Sequence, residues 1–248
     1  MLVSVATLLA RAKRQRQVVP FVAMRTLDAA QACLEVATVH QAPLVLCVEH
    51  MPNVPARSTL NSVHVALWLA ERATIPVGVM LDMHSTELPD EALKQHLPGI
   101  AVVLQVTAAG SVPKLPAGWS VILDLNAPMT ADRINEMVHA NEVVAVRLPL
   151  PSGRTGTGSP APAYIHGLSH SLPVPLIAAD TSFRPAILRK CVDAGLQGVT
   201  IAEALDEAYT AGLRTALRDR SEQRPSRYLA KAENAVTSRF ASYLSHLS

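Results

Sequence analysis

Eight short apolar runs, separated by helical patterns along 248 residues, constrain this chain more than any other feature. The runs are rich in Val, Leu and Ile and are nearly continuous, which is typical of strands buried on both faces of a parallel sheet. We predict strands at about residues 18–24, 44–49, 77–82, 101–106, 120–126, 143–149, 176–180 and 198–203. Amphipathic helices fit between most of them, with Asp28 and Thr130 as N-terminal caps and Gly195 as a C-terminal stop. This alternation predicts an α/β fold, the TIM (β/α)8 barrel.

One unit of this predicted barrel is weak. Residues 107–118, between the fourth and fifth strands, contain two prolines and two glycines in twelve positions. Such a composition does not support a normal covering helix, so we expect the barrel to be irregular there or to lack that helix. The chain stays helical after residue 203. We therefore predict a single barrel domain over residues 1–248 with a C-terminal helical tail.

The composition excludes several classes of partner. The three cysteines are widely spaced and odd in number, which indicates a reducing compartment and no disulfide framework. No apolar run reaches the roughly 20 residues that cross a bilayer. The basic cluster at residues 11–16 has no base-stacking aromatic residues nearby. We expect a cytoplasmic protein with neither a membrane nor a nucleic-acid partner.

Polar side chains follow almost every predicted strand. They are Arg25, Glu49, His50, Asp82, His84, Gln105, Asp124, Asn126, Arg147, Asp180, Thr181, Ser182 and Glu203. The carboxyl ends of the strands form the active-site face of a TIM barrel. We predict that these residues form a ring around a polar pocket.

Several segments resemble one enzyme family. Residues 75–82 read Ile-Pro-Val-Gly-Val-Met-Leu-Asp, residues 193–199 read Asp-Ala-Gly-Leu-Gln-Gly-Val, and a Pro-x-x-Tyr pattern at residues 225–228 precedes Ala-Val at 235–236. With the N-terminal stretch and Val174–Ile177, they resemble class II, zinc-dependent fructose- and tagatose-bisphosphate aldolases over nearly the whole chain. The resemblance implies the barrel of that family and, from the family's habit of pairing chains, a homodimer.

The zinc-binding positions of the family are substituted in this chain. The three zinc histidines of the family fall on Met83, Ser152 and Ala179. Methionine, serine and alanine do not replace three imidazoles as zinc ligands. We therefore expect no zinc of the family kind and predict no other cofactor.

Three other functional positions of the family are kept, whereas its substrate-contacting Asn motif after the last strand and its acidic loop after the fifth strand are lost. The resemblance places the family's proton-transfer aspartate on Asp82 and its phosphate-loop positions on Gly153 and Ser182. From the residues alone, Arg25 and Arg147 are candidates to bind a carboxylate or phosphate, because the guanidinium fork suits both. The glycine-rich loop around Gly153 is either a phosphate-binding nest or a flexible linker, and the sequence leaves both open.

The chain has candidate residues for a metal site of another kind but lacks a suitable lysine for Schiff-base catalysis. Glu49, His50, His84 and Asp124 are candidates for a rebuilt metal site, which requires that several strands bring them together. Schiff-base catalysis is disfavoured, because all five lysines fall on predicted helices or on the proline-rich loop.

These observations lead to two hypotheses about function. The first is a divergent class II aldolase-like protein without zinc-dependent aldolase activity. It would bind a small phosphorylated or anionic metabolite, or a protein partner in carbohydrate metabolism such as an aldolase paralogue. The alternative is an active aldehyde lyase that uses Asp82 and a rebuilt site to cleave a ketose phosphate or a related substrate.

Overall fold

A closed barrel of eight parallel strands forms the centre of the molecule. The computed structural model describes residues 1–50, 55–84, 100–106, 119–140, 142–149, 162–179, 185–219 and 221–247. The strands are β1 Val19–Ala23, β2 Leu44–Glu49, β3 Val77–Asp82, β4 Ala101–Val106, β5 Ser120–Leu125, β6 Val143–Leu148, β7 Leu176–Ala178 and β8 Gly198–Ile201. Each pairs with the next, and β8 pairs with β1. The predicted TIM barrel is confirmed.

Helices surround this barrel. Within the described ranges they are α1 Val5–Gln15, α2 Leu27–Val39, α3 Ala56–Arg72, α4 Ala131–Ala140, α5 Pro162–Ser171, α6 Pro185–Asp193, α7 Glu203–Ala216 and α8 Pro225–Leu247. The weak segment at residues 107–118 lies outside the described residues. No helix of the described part is long and apolar enough to cross a membrane.

Two boundary predictions are corrected and two are confirmed. Thr26, not Asp28, caps α2, because its side chain accepts a hydrogen bond from the Ala29 N–H at 3.2 Å. Strand β8 ends at Ile201, so α7 already begins at Glu203. Thr130 accepts from the Arg133 N–H at 3.4 Å. Gly195 has a φ of +104°, the left-handed conformation that ends α6.

The strands alternate between two apolar layers. Side chains such as Leu81 and Leu123 pack outward among the helices, whereas Phe21, Met80 and Ile122 fill the barrel interior. This period of two applies although both faces are apolar, because successive side chains of a strand point to opposite sides. It decides which of the polar residues at the carboxyl ends face inward.

Helix α1 closes the other end of the barrel, at the amino ends of the strands. Its buried residues Val5, Leu8, Leu9 and Ala12 belong to the interior cluster. The segment before it is tied to β3, because Leu2 forms a parallel bridge to Val77. The basic residues of α1 are exposed, as its amphipathic pattern predicts.

Candidate functional site

A buried ion triad lies at the carboxyl end of the barrel. Arg147 donates from Nε to Asp124 Oδ1 and from Nη2 to Asp124 Oδ2, both at 2.8 Å. Its Nη1 donates to Asp82 Oδ2. The exposed fractions of Asp82, Asp124 and Arg147 are only 3, 9 and 5%. Three residues predicted to ring a pocket are thus brought together as one cluster.

Strand register explains this triad. Asp124 of β5 and Arg147 of β6 are direct partners in adjacent parallel strands, and both occupy inward positions of the alternation. Neighbours of this kind on one face suit a bidentate fork of guanidinium and carboxylate. Asp82 is contributed by β3, three strands from β6, so the same guanidinium also reaches across the interior of the barrel.

The guanidinium of the triad is held in its charged form. Burial by itself lowers the pKa of Arg147, but the hydrogen bond to Asp124 and the charges of both aspartates outweigh it, so that the pKa lies above its usual value. Removing water from three charges is costly, and the mutual attraction offsets this cost only while all three partners are in place. The cluster is therefore sensitive to the loss of any member.

A second charged cluster lies nearer the solvent. Arg25 donates from Nη1 to Glu49 Oε2 and from Nε to Asp206 Oδ2, the latter at 3.2 Å. The Arg25 side chain is 44% exposed, whereas that of Glu49 is 15% exposed. Arg25, predicted as an anion ligand, is thus reachable from solvent but already has two carboxylate partners. Arg147 is likewise paired, and it is buried.

His84 connects the two clusters. Its Nε2 lies 3.7 Å from Glu49 Oε1, and its Nδ1 lies 3.7 Å from Asp82 Oδ1. Its backbone N–H donates to Asp82 Oδ1 at 3.2 Å. The residue has a φ of +47°, which is uncommon outside glycine, although histidine adopts it more readily than most residues. An imidazole between two carboxylates is suited to move protons.

The candidates for a rebuilt metal site are divided between different partners. His50 Nδ1 contacts Thr59 Oγ1 of α3 at 2.9 Å, and Asp124 is occupied by Arg147. Glu49 and His84 lie near each other, with Oε1 and Nε2 3.7 Å apart. Across the described ranges, no three His, Cys, Asp or Glu side chains form a group that could hold a metal ion. The rebuilt metal site stays a prediction without a preformed ligand cluster.

Two of the three positions that carry zinc histidines in the aldolase family lie within the described residues, and neither can bind zinc. Met83 is 3% exposed and packs in the outer apolar layer, so its side chain is part of the core. Ala179 offers no side-chain donor, and its N–H is bonded to Leu148 O at 2.9 Å. Ser152, Gly153 and Ser182 lie outside the described residues. No step of chemistry can therefore be assigned to a zinc ion from these residues.

The sequence analysis did not identify two polar residues at the carboxyl end of the barrel. Asp206 lies in the first turn of α7 and contacts Arg25 from there, whereas the predicted ring stopped at Glu203. Its position could have been predicted, because each helix that follows a strand begins at the carboxyl end of the barrel. Thr200, on an inward position of β8, has a buried hydroxyl without a hydrogen-bond partner among the described residues. Only the structure identifies it.

Solved structures of aldolases share this closed parallel barrel. The YdjI aldolase from Escherichia coli K12 superposes with a TM-score of 0.83 at 14% identity, covering 100% of this chain and 98% of that one. The fructose-bisphosphate aldolase of Campylobacter jejuni superposes with a TM-score of 0.75 at 13% identity, covering 99% and 95%. No family model and no curated protein sequence matches the chain. At such identities the likeness concerns the fold, and function depends on the site.

Proposed function

We propose that this chain is an aldolase-fold protein that does not catalyse metal-dependent aldol cleavage and that binds a small polyhydroxylated, anionic metabolite at its barrel mouth. The observation that carries the first part is the ion triad of Arg147 with Asp82 and Asp124. The guanidinium is ion-paired with both aspartates, at the end of the barrel where aldolase-fold enzymes bind substrate.

The contacts of Asp82 support this reading. A metal-dependent aldolase needs a cation that polarises the ketone and stabilises the enediolate. It also needs a base with a lone pair within reach of the proton that is transferred. Asp82 Oδ2 accepts from Arg147, and Asp82 Oδ1 accepts from the backbone N–H of His84. Each oxygen thus has a partner, and at 3% exposure Asp82 is out of reach of a substrate proton without rearrangement of the triad.

The surroundings of Arg25 support the ligand class. A cleft of about 350 Å³ beside the mouth is lined by Arg25, Thr26, Asp206, Tyr209 and apolar residues of α2 and α7. Ligand pockets typically combine apolar walls with a few polar groups that fix orientation. Carboxylates and a hydroxyl can bind sugar hydroxyls, and the half-exposed guanidinium can bind an anionic group. The ligand must compete with Glu49 and Asp206 for Arg25, which favours modest affinity.

Two assays test this function. Incubation with fructose or tagatose bisphosphate and added zinc should give no cleavage above the no-enzyme rate. Calorimetric titration with the same sugars should show binding that Arg25→Gln weakens about tenfold, since one charge-assisted contact is lost. Arg133→Gln is the matched control, because Arg133 is also exposed and ion-paired, with Glu136 at 2.7 Å. Zinc-stimulated cleavage contradicts the first part, and equal binding by both variants contradicts the second.

The alternative, an active aldehyde lyase that uses Asp82 and a rebuilt site, is favoured by one observation. His84 has a left-handed backbone and lies between Asp82 and Glu49. In this candidate His84 moves the proton while Asp82 orients it. Asparagine tolerates the left-handed conformation better than most residues, so His84→Asn removes the imidazole with little backbone strain. If the wild-type protein cleaves a substrate and His84→Asn abolishes that cleavage without changing the melting temperature, the lyase is supported and the binding protein is excluded.

The predicted pairing of chains is retained as part of the proposal. Dimerisation is implied by the family resemblance alone. Light scattering at micromolar concentration measures the oligomeric state directly, and a strictly monomeric protein would contradict the prediction of a dimer.

A further inference from the structure

Helix α5 carries two histidines one turn apart, near the amino ends of the strands and away from the mouth. The ring centroids of His166 and His170 are 4.2 Å apart and the rings are tilted by 31°. Their Nδ1 atoms are 3.1 Å apart. Only one proton fits between two imidazole nitrogens at that distance, so at least one Nδ1 presents a lone pair to the other.

Two oxygens lie within the same small space. The His166 carbonyl oxygen is 2.9 Å from His170 Nδ1 and 2.9 Å from Ser169 Oγ. Ser169 Oγ is 3.3 Å from His170 Nδ1. The Ser169 side chain also donates to Ala194 O at 3.0 Å, which links it to the loop before β8. His170 Nδ1 thus lies 3.1 Å from a second imidazole nitrogen, 3.3 Å from a hydroxyl oxygen and 2.9 Å from a carbonyl oxygen.

The separation of the two nitrogens is compatible with ligands of one ion. With metal–nitrogen bonds of about 2.0–2.1 Å, two ligands at right angles are about 2.8–3.0 Å apart and two tetrahedral ligands about 3.3–3.4 Å apart. The observed 3.1 Å between the Nδ1 atoms lies between these values. Imidazole nitrogens are good ligands of Cu²⁺, Ni²⁺ and Zn²⁺, and Cu²⁺ has the highest affinity of the three.

We propose that His166 and His170, completed by Ser169 Oγ and solvent, form a binding site for a transition-metal dication. When His170 Nδ1 binds the ion, its proton moves to Nε2 and the hydrogen bond to the His166 carbonyl is given up. The site lies on the last two turns of α5, where the negative end of the helix dipole favours a cation.

The surrounding groove sets the expected strength of binding. It has a volume of about 510 Å³, which admits water as further ligands, and it is lined by Asp193 as well as by Lys13, Arg16 and Arg189. The three cationic side chains oppose a dication, although salt screens exposed charges beyond about 8 Å at physiological ionic strength. With two imidazoles and these neighbours, we expect micromolar affinity.

The test uses tag-free full-length protein titrated with Cu²⁺. Calorimetry should show one equivalent of micromolar binding, and electron paramagnetic resonance should show an ion coupled to two nitrogens. His166→Gln and His170→Gln should each weaken binding more than about tenfold and leave coupling to one nitrogen. Both positions are exposed, so the melting temperature of each metal-free variant should equal that of the wild type.

His139→Gln is the matched control. His139 is in the last turn of α4, and its Nδ1 contacts the carbonyl of residue 135, four positions earlier, at 2.7 Å. It therefore has the same kind of helical environment without a second imidazole. Cu²⁺ affinity that falls equally in His139→Gln and His166→Gln, or that is unchanged in both α5 variants, would overturn the site. The histidines at the barrel mouth are untouched by these variants, so the result is independent of the function proposed above.

Discussion

Replacement of Arg147 by methionine tests the ion triad directly. Methionine retains much of the aliphatic length but removes the charge and the three hydrogen bonds to Asp124 and Asp82. Two carboxylates at 9% exposure or less are then left without a cation. Breaking a buried ion pair from one side costs about 3–5 kcal/mol of unfolding free energy. For a chain of this size, about 4 kcal/mol lowers the melting temperature by roughly 8–16 °C.

The same variant should have a distinctive pH dependence. Without Arg147, protonation of the two carboxylates relieves their repulsion and desolvation. In the variant they therefore hold protons more strongly in the folded state than in the unfolded chain. Stability that depends on such protons is present at low pH and lost as pH rises. Part of the deficit at pH 7 should be recovered at pH 5, whereas the wild type should not gain in this way.

Urea unfolding and thermal melts at both pH values measure these effects. Arg133→Met is the control, because its ion pair with Glu136 is 43 and 66% exposed and should contribute less than about 1 kcal/mol. A double-mutant cycle of Arg147→Met with Asp124→Asn should show coupling of up to about 3 kcal/mol, since the two side chains touch. If Arg147→Met loses no more stability than Arg133→Met at pH 7, the triad is not a charge-compensated cluster and the argument from it fails.

Three further predictions concern the scaffold. A Cβ on Gly195 would lie 2.6 Å from Ser169 Oγ at a φ of +104°, so Gly195→Ala should lower unfolding free energy by about 1–3 kcal/mol in urea titrations. Gly167→Ala has nothing within 4 Å and should instead raise it by up to about 1 kcal/mol, and a loss would contradict this reading of α5. Burial raises the pKa of Cys33 to about 12 and raises that of Cys191. Burial and the charge of Asp82 raise that of Cys47. Because the thiolate is the reactive form, a thiol reagent at pH 8 should label the native protein far more slowly than the unfolded one, and rapid labelling of native protein would contradict the packing.

The barrel could be predicted from the sequence because each strand is a compact apolar run between turn signals, and such runs permit few architectures. The inward direction of Asp82, Asp124 and Arg147 also follows from the period of two, once the strands are placed. Their pairing could not be predicted. Arg147 reaches Asp82 across the interior of the barrel, and the distance between strands of a closed sheet depends on tilt and register that no local pattern encodes.

The cap of α2 shows a different limit. Thr26 and Asp28 are both good capping residues, and their order of preference does not decide between them. The choice depends on where β1 ends and how the chain turns into the helix, which is a tertiary matter. Asp206 was missed for a similar reason, because the strand was predicted two residues too long and the first turn of α7 was thereby displaced.

Helix α1 covers the amino end of the barrel. Its apolar residues Leu8 and Leu9 pack with Phe21 and the rest of the interior cluster. Because side chains fill the interior behind this helix, a ligand at the carboxyl end binds above the apolar core and not within it. The charged residues around Arg25 and His84 and the packing of α1 thus lie at opposite ends of one filled barrel, so a substitution at either end leaves the contacts of the other in place.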